Sequence, residues 1–192
     1  MKMETERLII RNFEDNDGDY HALFKIMRDV DVNRYLPWYP LGTTEEAIDF
    51  YTKRILTRYI NKNGFYFAVC LKTDNLPIGY ITVSGDDSHD FGYGLRKEYW
   101  NQGIITEASE AVIKELARVG YRYITATHDI NNVASGKIMK KLGMEYKYSY
   151  VEMWQPKNIQ VTFRMYQLNL DGVERTYDKY WNVYEDHFIE SI

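Results

Sequence analysis

The sequence predicts one α/β domain of about seven strands and four helices, followed by a C-terminal helix. A chain of 192 residues has room for one continuous core, because a core of that size buries most of the apolar surface of the unfolded chain. Its 45% apolar and 27% charged residues are typical of a globular domain. Segments of strand-type alternation and segments of helix-type spacing follow one another along the chain.

The first half of the chain is predicted to contain a strand, two helices and then three strands. Residues 7–13 are rich in β-branched side chains and predict the first strand. Apolar residues recur at helical spacing over 20–30 and again over 44–59, where Thr44 caps the helix. Two prolines force residues 33–40 between these helices into a loop. The three strands cover 65–71, 78–84 and 89–95.

The second half alternates between helices and strands. A helical pattern from Ile105 ends at Gly120, and a strand-type pattern covers 121–129. A further helix is predicted over 132–142 and is closed by Gly143. The last two strands cover 146–153 and 159–168.

The C-terminal residues carry an aromatic stripe at helical spacing, which predicts an amphipathic helix. The aromatic side chains are Tyr177, Tyr180, Trp181, Tyr184 and Phe188. We expect this stripe to pack on its own domain. The alternatives are a contact within a homodimer and a wall of a substrate pocket.

Composition and charge exclude several classes of partner. The net charge is only −4 and the basic residues are scattered, so we expect no nucleic-acid partner. The only cysteine, Cys70, lies in an apolar strand, and no disulfide can form within the chain. The N-terminus is charged and no segment approaches a membrane span, so we expect a cytoplasmic protein with no membrane partner.

Two junctions between a strand and a helix are candidate binding sites. Residues 95–108 combine a strand end, a loop with Gly103 and a helix start. Free backbone N–H groups and the helix dipole favour a phosphate group there, although a single glycine is a weak signal. Residues 131–144 place Asn132 and Ser135 in another helix start. The ordinary alternatives are that Asn132 is an N-cap and Ser135 a first-turn filler.

In this order and separation, the two junctions resemble the motifs of a known family. Residues 99–108, YWNQGIITEA, are similar to the pyrophosphate-binding segment of the GNAT superfamily, in the branch of the ribosomal-protein-alanine acetyltransferases. Residues 132–135, NVAS, and residues 141–144, KLGM, resemble the second motif of that branch. The opening TERLIIR of residues 5–11 and the FGYGL strand of residues 91–95 also match.

The resemblance covers about residues 5–169 and implies a GNAT N-acetyltransferase domain over 5–170, with residues 171–192 as a helical extension. It implies a mixed, mostly antiparallel sheet that splays between the strands ending near Leu95 and Asp129. The pantetheine arm of acetyl-CoA would lie in that gap, and no metal is implied. The residues implied to bind acetyl-CoA are Leu95, Gln102, Gly103, Ile104, Ile105, Thr106, Asn132 and Ser135.

One implied binding residue departs from the family pattern. The family usually has a small residue where Ile105 stands, and a β-branched side chain there is expected to narrow the turn. The backbone N–H of Ile105 remains available to a phosphate group.

Transfer of an acetyl group to an amine needs a base, an oxyanion donor and an acid for the leaving thiolate. Asp90 matches a position where relatives often carry a carboxylate, and the alternative is a solvated residue at the end of a loop. His128 is the second candidate base, against the alternative of a structural histidine. Met139 replaces the tyrosine that the family uses as acid, and the resemblance implies Ser135 as the substitute.

Two further catalytic positions stay open. A backbone N–H near Gly94 or Leu95 is the candidate oxyanion donor. The branch often has a glutamate after the second motif, but Lys147 occupies that position and Glu145 is shifted from it.

For the amine acceptor, aromatic side chains on the proline-rich loop and near the last turn are candidate pocket walls, with ordinary packing as the alternative. They are Tyr35, Trp38, Tyr39 and Trp154.

Three hypotheses for function follow from these observations. The first is an N-acetyltransferase that acts on a protein N-terminus, a peptide or a small amine. The second is a non-catalytic module that binds CoA or another protein, because Met139 and Lys147 depart from the catalytic pattern. A nucleotide-phosphate enzyme is disfavoured, since the sequence has neither a Walker-type loop nor clustered metal ligands.

Overall fold

The computed structural model describes residues 1–192 and contains nine strands in two sheets. All seven predicted strands are present, with ends within two residues of the predicted ones, and two short strands are added at the termini. The strands are β1 (Met3–Glu4), β2 (Leu8–Asn12), β3 (Gly64–Leu71), β4 (Pro77–Ser84), β5 (Phe91–Leu95), β6 (Tyr123–Asp129), β7 (Glu145–Trp154), β8 (Ile159–Asn169) and β9 (His187–Phe188).

The helices also follow the predicted order. They are α1 (Asp17–Met27), α2 (Thr44–Phe50), α3 (Thr57–Asn61), α4 (Ile104–Arg118), α5 (Val133–Lys141) and α6 (Lys179–Val183). The helix predicted over 44–59 is divided by π-helical turns at Tyr51–Leu56. Its N-cap is Thr43 and not Thr44, because the Thr43 side chain accepts a hydrogen bond from the N–H of Glu46. No helix has both the length and the apolar character to cross a bilayer.

The first sheet has the order β1-β2-β3-β4-β5, with antiparallel pairs throughout. Side chains of α1, α2 and the π-helical turns pack on one face, and side chains of α4 pack on the other. Because both faces of β3 are covered, this strand is apolar almost without interruption. Cys70 in β3 is fully buried, as predicted.

The second sheet has the order β6-β8-β7-β9, and β6 lies beside β5 of the first sheet. The two strands run parallel and meet at one backbone bridge, between Asp90 and Thr125. Beyond this bridge they share no ladder, so a gap opens between Leu95 and Asp129, as the resemblance implied. The backbone groups that face this gap are free to bind a ligand.

The C-terminal segment corrects the predicted amphipathic helix. Only Lys179–Val183 is helical, and His187–Phe188 pairs instead with the edge of β7 as β9. The physical reason is that β7 offers an open edge, where pairing satisfies the backbone of the segment better than an exposed helix would.

The aromatic stripe nevertheless packs on its own domain, as expected. Tyr180 and Tyr184 stack on Tyr150 with ring centroids 5.1 and 4.7 Å apart, and Trp181 meets Tyr148 at 5.5 Å. These contacts cover the outer face of the second sheet with aromatic surface.

Candidate active site

The start of α4 forms an open loop at the end of β5. Gly103 precedes the helix with φ 72°, a left-handed conformation that glycine adopts without steric cost. The first N–H groups of α4, from Ile104 to Thr106, have no acceptor within the helix. They form an anion site together with the positive end of the helix dipole.

The side chains of this first turn point into the protein. Ile104, Ile105 and Thr106 are all buried, and both isoleucines belong to the core around α4. The expectation that the Ile105 side chain narrows the turn is wrong, because that side chain packs into the core around α4.

An ion pair that the sequence analysis missed holds this loop in place. The Arg7 guanidinium donates to the Gln102 carbonyl at 3.0 Å and to the Glu107 carboxylate at 2.7 Å. Thr5 donates to the same carboxylate at 2.5 Å. Thr5 and Arg7 lie in residues 5–11, and Glu107 lies in residues 99–108, which are two of the segments that carry the family resemblance. Those segments were the signal in the sequence that could have revealed the ion pair. Arg7 thereby adds positive charge beside the open N–H groups.

The backbone of β5 is oriented by its pairing with β4. Ser84 N–H donates to the Asp90 carbonyl and Arg96 N–H donates to the Ile78 carbonyl, both at 2.9 Å. Hydrogen-bonded pairs alternate along an antiparallel ladder, so the even-numbered residues of β5 face β4. The N–H groups of Tyr93 and Leu95 therefore point into the gap, whereas that of Gly94 is used by the sheet.

Asn132 and Ser135 begin α5 on the other side of the gap. Asn132 is the N-cap, since its side chain accepts a hydrogen bond from Ser135 N–H at 3.2 Å. The Ser135 hydroxyl lies 3.0 Å from the hydroxyl of Tyr93, which also donates to the Ser135 carbonyl at 2.9 Å. Tyr93 was not singled out in the sequence. Its signal is the alternation of β5, which places it on the same face as Phe91 and Leu95.

A cleft of about 520 Å³ begins at this gap and extends towards the α2–α3 segment. It brings together all three candidate catalytic residues with Asn132 and the predicted aromatic walls. These lining residues are Asp90, His128, Ser135, Asn132, Tyr35, Trp38 and Trp154. The CoA-binding candidates Leu95 and Gln102 to Thr106 do not line it, because they lie at the β5–α4 junction.

Asp90 is a half-buried carboxyl group at the start of β5. Its Oδ1 atom is buried and has no hydrogen-bond partner. Burial, together with the negative charge of Asp86, raises the pKa of Asp90 to about 7, against an opposing effect of Arg58. At neutral pH this carboxyl group is therefore divided between its charged and neutral forms, which suits a general base.

His128 is buried at the end of β6. Its Nδ1 lies 2.8 Å from the Asp129 carbonyl, an atom that only accepts, so Nδ1 carries the proton and Nε2 has the lone pair. Burial lowers the pKa of His128 and favours this neutral form. Nε2 lies under Gly136, where an added Cβ would approach it to 2.7 Å. A glycine is thus required for the ring to sit there.

Two aromatic walls flank the cleft. One side carries Trp38 and Phe50, with ring centroids 5.7 Å apart, and the other carries Trp154 and Phe163 at 4.8 Å. Tyr39 does not line the cleft and is 61% exposed, so its predicted role as a pocket wall is wrong.

The loop that carries Trp38 is fixed by a buried residue that the sequence analysis missed. Asn33 accepts a hydrogen bond from Trp38 Nε1 at 3.0 Å and donates to the Ile26 carbonyl at 2.9 Å. Lys157, in the turn between β7 and β8, donates to the Arg34 carbonyl at 3.3 Å. The turn and the loop therefore hold each other across the mouth of the cleft.

Other lining residues also differ from the sequence-based expectation. Arg54 and Arg58 line the cleft, although neither residue stands out in the sequence. Glu145 and Lys147 pair with each other at 2.9 Å and lie outside the cleft, so Glu145 supplies no carboxylate there. No three His, Cys, Asp or Glu side chains are grouped as a metal site.

The splayed sheet and the open helix start define an α/β protein with an anion site beside a cleft. The model of the family described as "Acetyltransferase (GNAT) domain" matches residues 7–145, and the chain belongs to this family. The match includes the β5–α4 junction and the start of α5.

Solved structures have the same fold. A GNAT-family acetyltransferase from Bacillus anthracis has a TM-score of 0.75 at 25% identity, over 89% of this chain and 99% of that chain. The ribosomal-protein-S5-alanine acetyltransferase from Vibrio fischeri has a TM-score of 0.70 at 20% identity, over 91% and 100%. RimL, the ribosomal L7/L12 α-N-protein acetyltransferase in complex with coenzyme A, has a TM-score of 0.77 at 15% identity, over 90% of this chain and 100% of that chain. No curated protein matches the chain.

Proposed function

We propose that this protein is an N-acetyltransferase that moves an acetyl group from acetyl-CoA to a primary amine of a protein N-terminus, a peptide or a small molecule. The observation that carries the proposal is the gap between β5 and β6, which joins the open N–H groups of α4 to the acid-lined cleft. A thioester in that gap would meet an amine that arrives from the cleft. The complex of RimL with coenzyme A, a protein of the same fold, supports this reading.

The diphosphate of CoA would bind the N–H groups from Gln102 to Thr106 at the start of α4. These groups, the helix dipole and the nearby Arg7 guanidinium all favour negative charge there. The pantetheine arm would extend between β5 and β6, with Asn132 holding the start of α5 beside it.

The amine would attack the thioester carbonyl directly. Asp90 is the proposed base, because its place in the lining of the cleft and a pKa of about 7 let it take, through a water, the proton that the amine loses. His128 is the second candidate, because it lines the same cleft and its Nε2 has the lone pair, but this atom is buried under Gly136 and would need the ring to move before it could take a proton. The Leu95 N–H, which points into the gap, would stabilise the oxyanion.

Collapse of the tetrahedral intermediate forms the amide bond and breaks the carbon–sulfur bond, and the thiolate of CoA then needs a proton. Ser135 is the proposed donor, and rotation of the Tyr93 O–H from the Ser135 carbonyl to the Ser135 hydroxyl oxygen would let the tyrosine replenish that proton and regain its own from solvent. Burial raises the pKa of Tyr93, so its hydroxyl keeps its proton at neutral pH.

A covalent acetyl-enzyme is disfavoured by the state of the only thiol. Cys70 is fully buried in β3, and burial raises its pKa to about 12. A buried, protonated thiol is a poor nucleophile. We therefore propose one direct transfer of the acetyl group. We further propose that the acetyltransferase domain covers residues 5–170, and that the protein acts in the cytoplasm without a nucleic-acid or membrane partner.

The alternative function is a module that binds CoA or another protein without turnover. Release of free thiol from acetyl-CoA in the presence of a panel of amines separates the two functions, and calorimetry with CoA tests binding independently. We expect CoA binding and thiol release with at least one amine. Binding without release across the panel would favour the module, and no binding at millimolar CoA would refute both the acetyltransferase and the CoA-binding module.

A further inference from the structure

We propose that the amine acceptor also carries an anionic group, a carboxylate or a phosphate, and a flat apolar group. The proposal rests on the proposed acetyl transfer, since it concerns the acceptor side of the same cleft. It is carried by Arg54, Arg58 and Tyr66, which lie together on one wall.

Arg54 is an unpaired cation on the π-helical turns between α2 and α3. It has no hydrogen bond or ion pair with any protein group, and its guanidinium carbon lies 5.5 Å from the Trp38 ring and 5.6 Å from the Phe50 ring. π-Helical turns are often found at functional sites. The aromatic rings orient the guanidinium while its N–H donors remain free for a ligand.

Arg58 and Tyr66 extend this wall by one helical turn. Arg58 donates to the Phe65 carbonyl at 3.1 Å, and its guanidinium carbon lies 5.8 Å from the Tyr66 ring. Tyr66 is only 5% exposed, and its hydroxyl oxygen is buried without a partner in this wall. A buried hydroxyl that lacks a partner is costly, so an oxygen of a bound anion would satisfy it together with the arginines.

Arg54 and Arg58 are the arginines of the cleft, and both lack an ion pair. Seven of the eleven arginines are ion-paired, and these are Arg7, Arg11, Arg34, Arg96, Arg118, Arg164 and Arg175. Arg28 and Arg122 have no carboxylate partner either, but neither of them lines the cleft. Arg54 and Arg58 remain without a carboxylate partner in a chain of net charge −4. An anion is the ligand that would complete them.

The same charges argue against simple diamines or polyamines as acceptors. The two arginines repel a second ammonium group on their own wall of the cleft, whereas an anion on the acceptor would be attracted to them. The aromatic surfaces of Trp38 and Trp154 then favour a flat apolar group between the amine and the anion.

Two matched pairs of amines test the proposal by binding in the presence of CoA. The first is para-(aminoethyl)benzoate against para-(aminoethyl)benzamide, which differ in one negative charge. The second is O-phosphotyramine against tyramine, which tests a phosphate in place of the carboxylate. Calorimetry and quenching of tryptophan fluorescence measure binding without requiring turnover.

We expect at least one amine with an anionic group to bind about tenfold or more tightly than its partner without that group, as one charge-assisted hydrogen bond implies. Arg54→Gln should remove this preference and leave the affinity for the amine without an anionic group unchanged. Lys53→Gln is the matched control, because Lys53 lies on the same π-helical turns, is 72% exposed and pairs with Asp49. Arg58→Gln should act like Arg54→Gln if thermal unfolding shows that it remains folded.

Equal binding of both members in both pairs, or no binding of any of the four, would overturn the proposal. So would an Arg54→Gln variant that keeps the preference. Failure of the proposed acetyl transfer gives a different result, in which the anionic amine binds with the expected preference but releases no thiol from acetyl-CoA.

Discussion

Asp90→Asn is the most informative substitution in the cleft, because it changes stability and activity in ways that the position of Asp90 dictates. The substitution keeps the shape of the side chain and removes its ability to ionise. Asp90 is half-buried, its Oδ1 has no partner, and its pKa is raised to about 7 by burial and by Asp86. In the unfolded chain this carboxyl group titrates near its ordinary value of about 3.9.

The sign and size of the stability effect follow from these two pKa values. Because the folded pKa is the higher one, the folded state binds the proton more tightly, and Asp90 destabilises the fold increasingly as the pH rises from about 4 to about 7. The two pKa values differ by about three, and each unit corresponds to about 1.36 kcal/mol, so the free energy of unfolding is lowered by about 4 kcal/mol well above pH 7. About 2 to 3 kcal/mol of this loss accumulates between pH 5 and pH 8. Asp90→Asn removes this pH-dependent loss.

Denaturant unfolding of both proteins at pH 5 and pH 8 measures the effect. The variant should gain about 2 to 3 kcal/mol relative to the wild type between these pH values. Asp49→Asn, which removes a carboxylate that is 56% exposed, is the control and should show no such gain. A stability difference that is the same at pH 5 and pH 8 would refute the reasoning.

The same variant tests the proposed base. Since Asp90 must be ionised to accept a proton, kcat/KM of the wild type should rise as the pH increases through about 7 and then level off. Asp90→Asn should lose most of this activity together with the rise. An unchanged pH profile would remove Asp90 from the mechanism and leave His128 as the candidate base.

Three further substitutions probe the helix start, the position of His128 and the proposed acid. Gly103→Ala forces a side chain into a left-handed conformation at a cost of about 1 kcal/mol, so calorimetry should show weaker CoA binding, and an unchanged affinity would contradict the proposed diphosphate site. Gly136→Ala would bring a Cβ to 2.7 Å from His128 Nε2, and thermal unfolding should show a loss of about 1 to 3 kcal/mol. Tyr93→Phe removes the partner of the Ser135 hydroxyl. Steady-state kinetics should show a kcat that is lower by about tenfold or more, with the KM for acetyl-CoA unchanged. A kcat equal to that of the wild type would exclude the Tyr93–Ser135 pair as the acid.

The sequence by itself determined the order of the elements and the family. Strand-type and helix-type periodicity located seven strands, because burial of one or both faces imposes those periods on the residues. The short motifs around Gly103 and Ser135 were informative for a different reason. A helix start that leaves its N–H groups open needs particular residues in consecutive positions, and consecutive positions are visible in a sequence.

The sequence could not determine the C-terminal segment. Its aromatic residues have helical spacing, yet the chain leaves the helix after Val183 and pairs with β7. That outcome depends on the open edge of another strand, a long-range contact that local spacing does not encode.

The cleft was likewise decided by the tertiary structure. Arg54, Arg58 and Tyr66 are unremarkable in the sequence, and they become a charged and aromatic wall only when α2, α3 and β3 are packed together. The pKa of Asp90 has the same origin, because it depends on the burial of a carboxyl group between two strands that meet once and then diverge. Local patterns thus determined which elements form, whereas the environment of each side chain came from residues far apart in the chain.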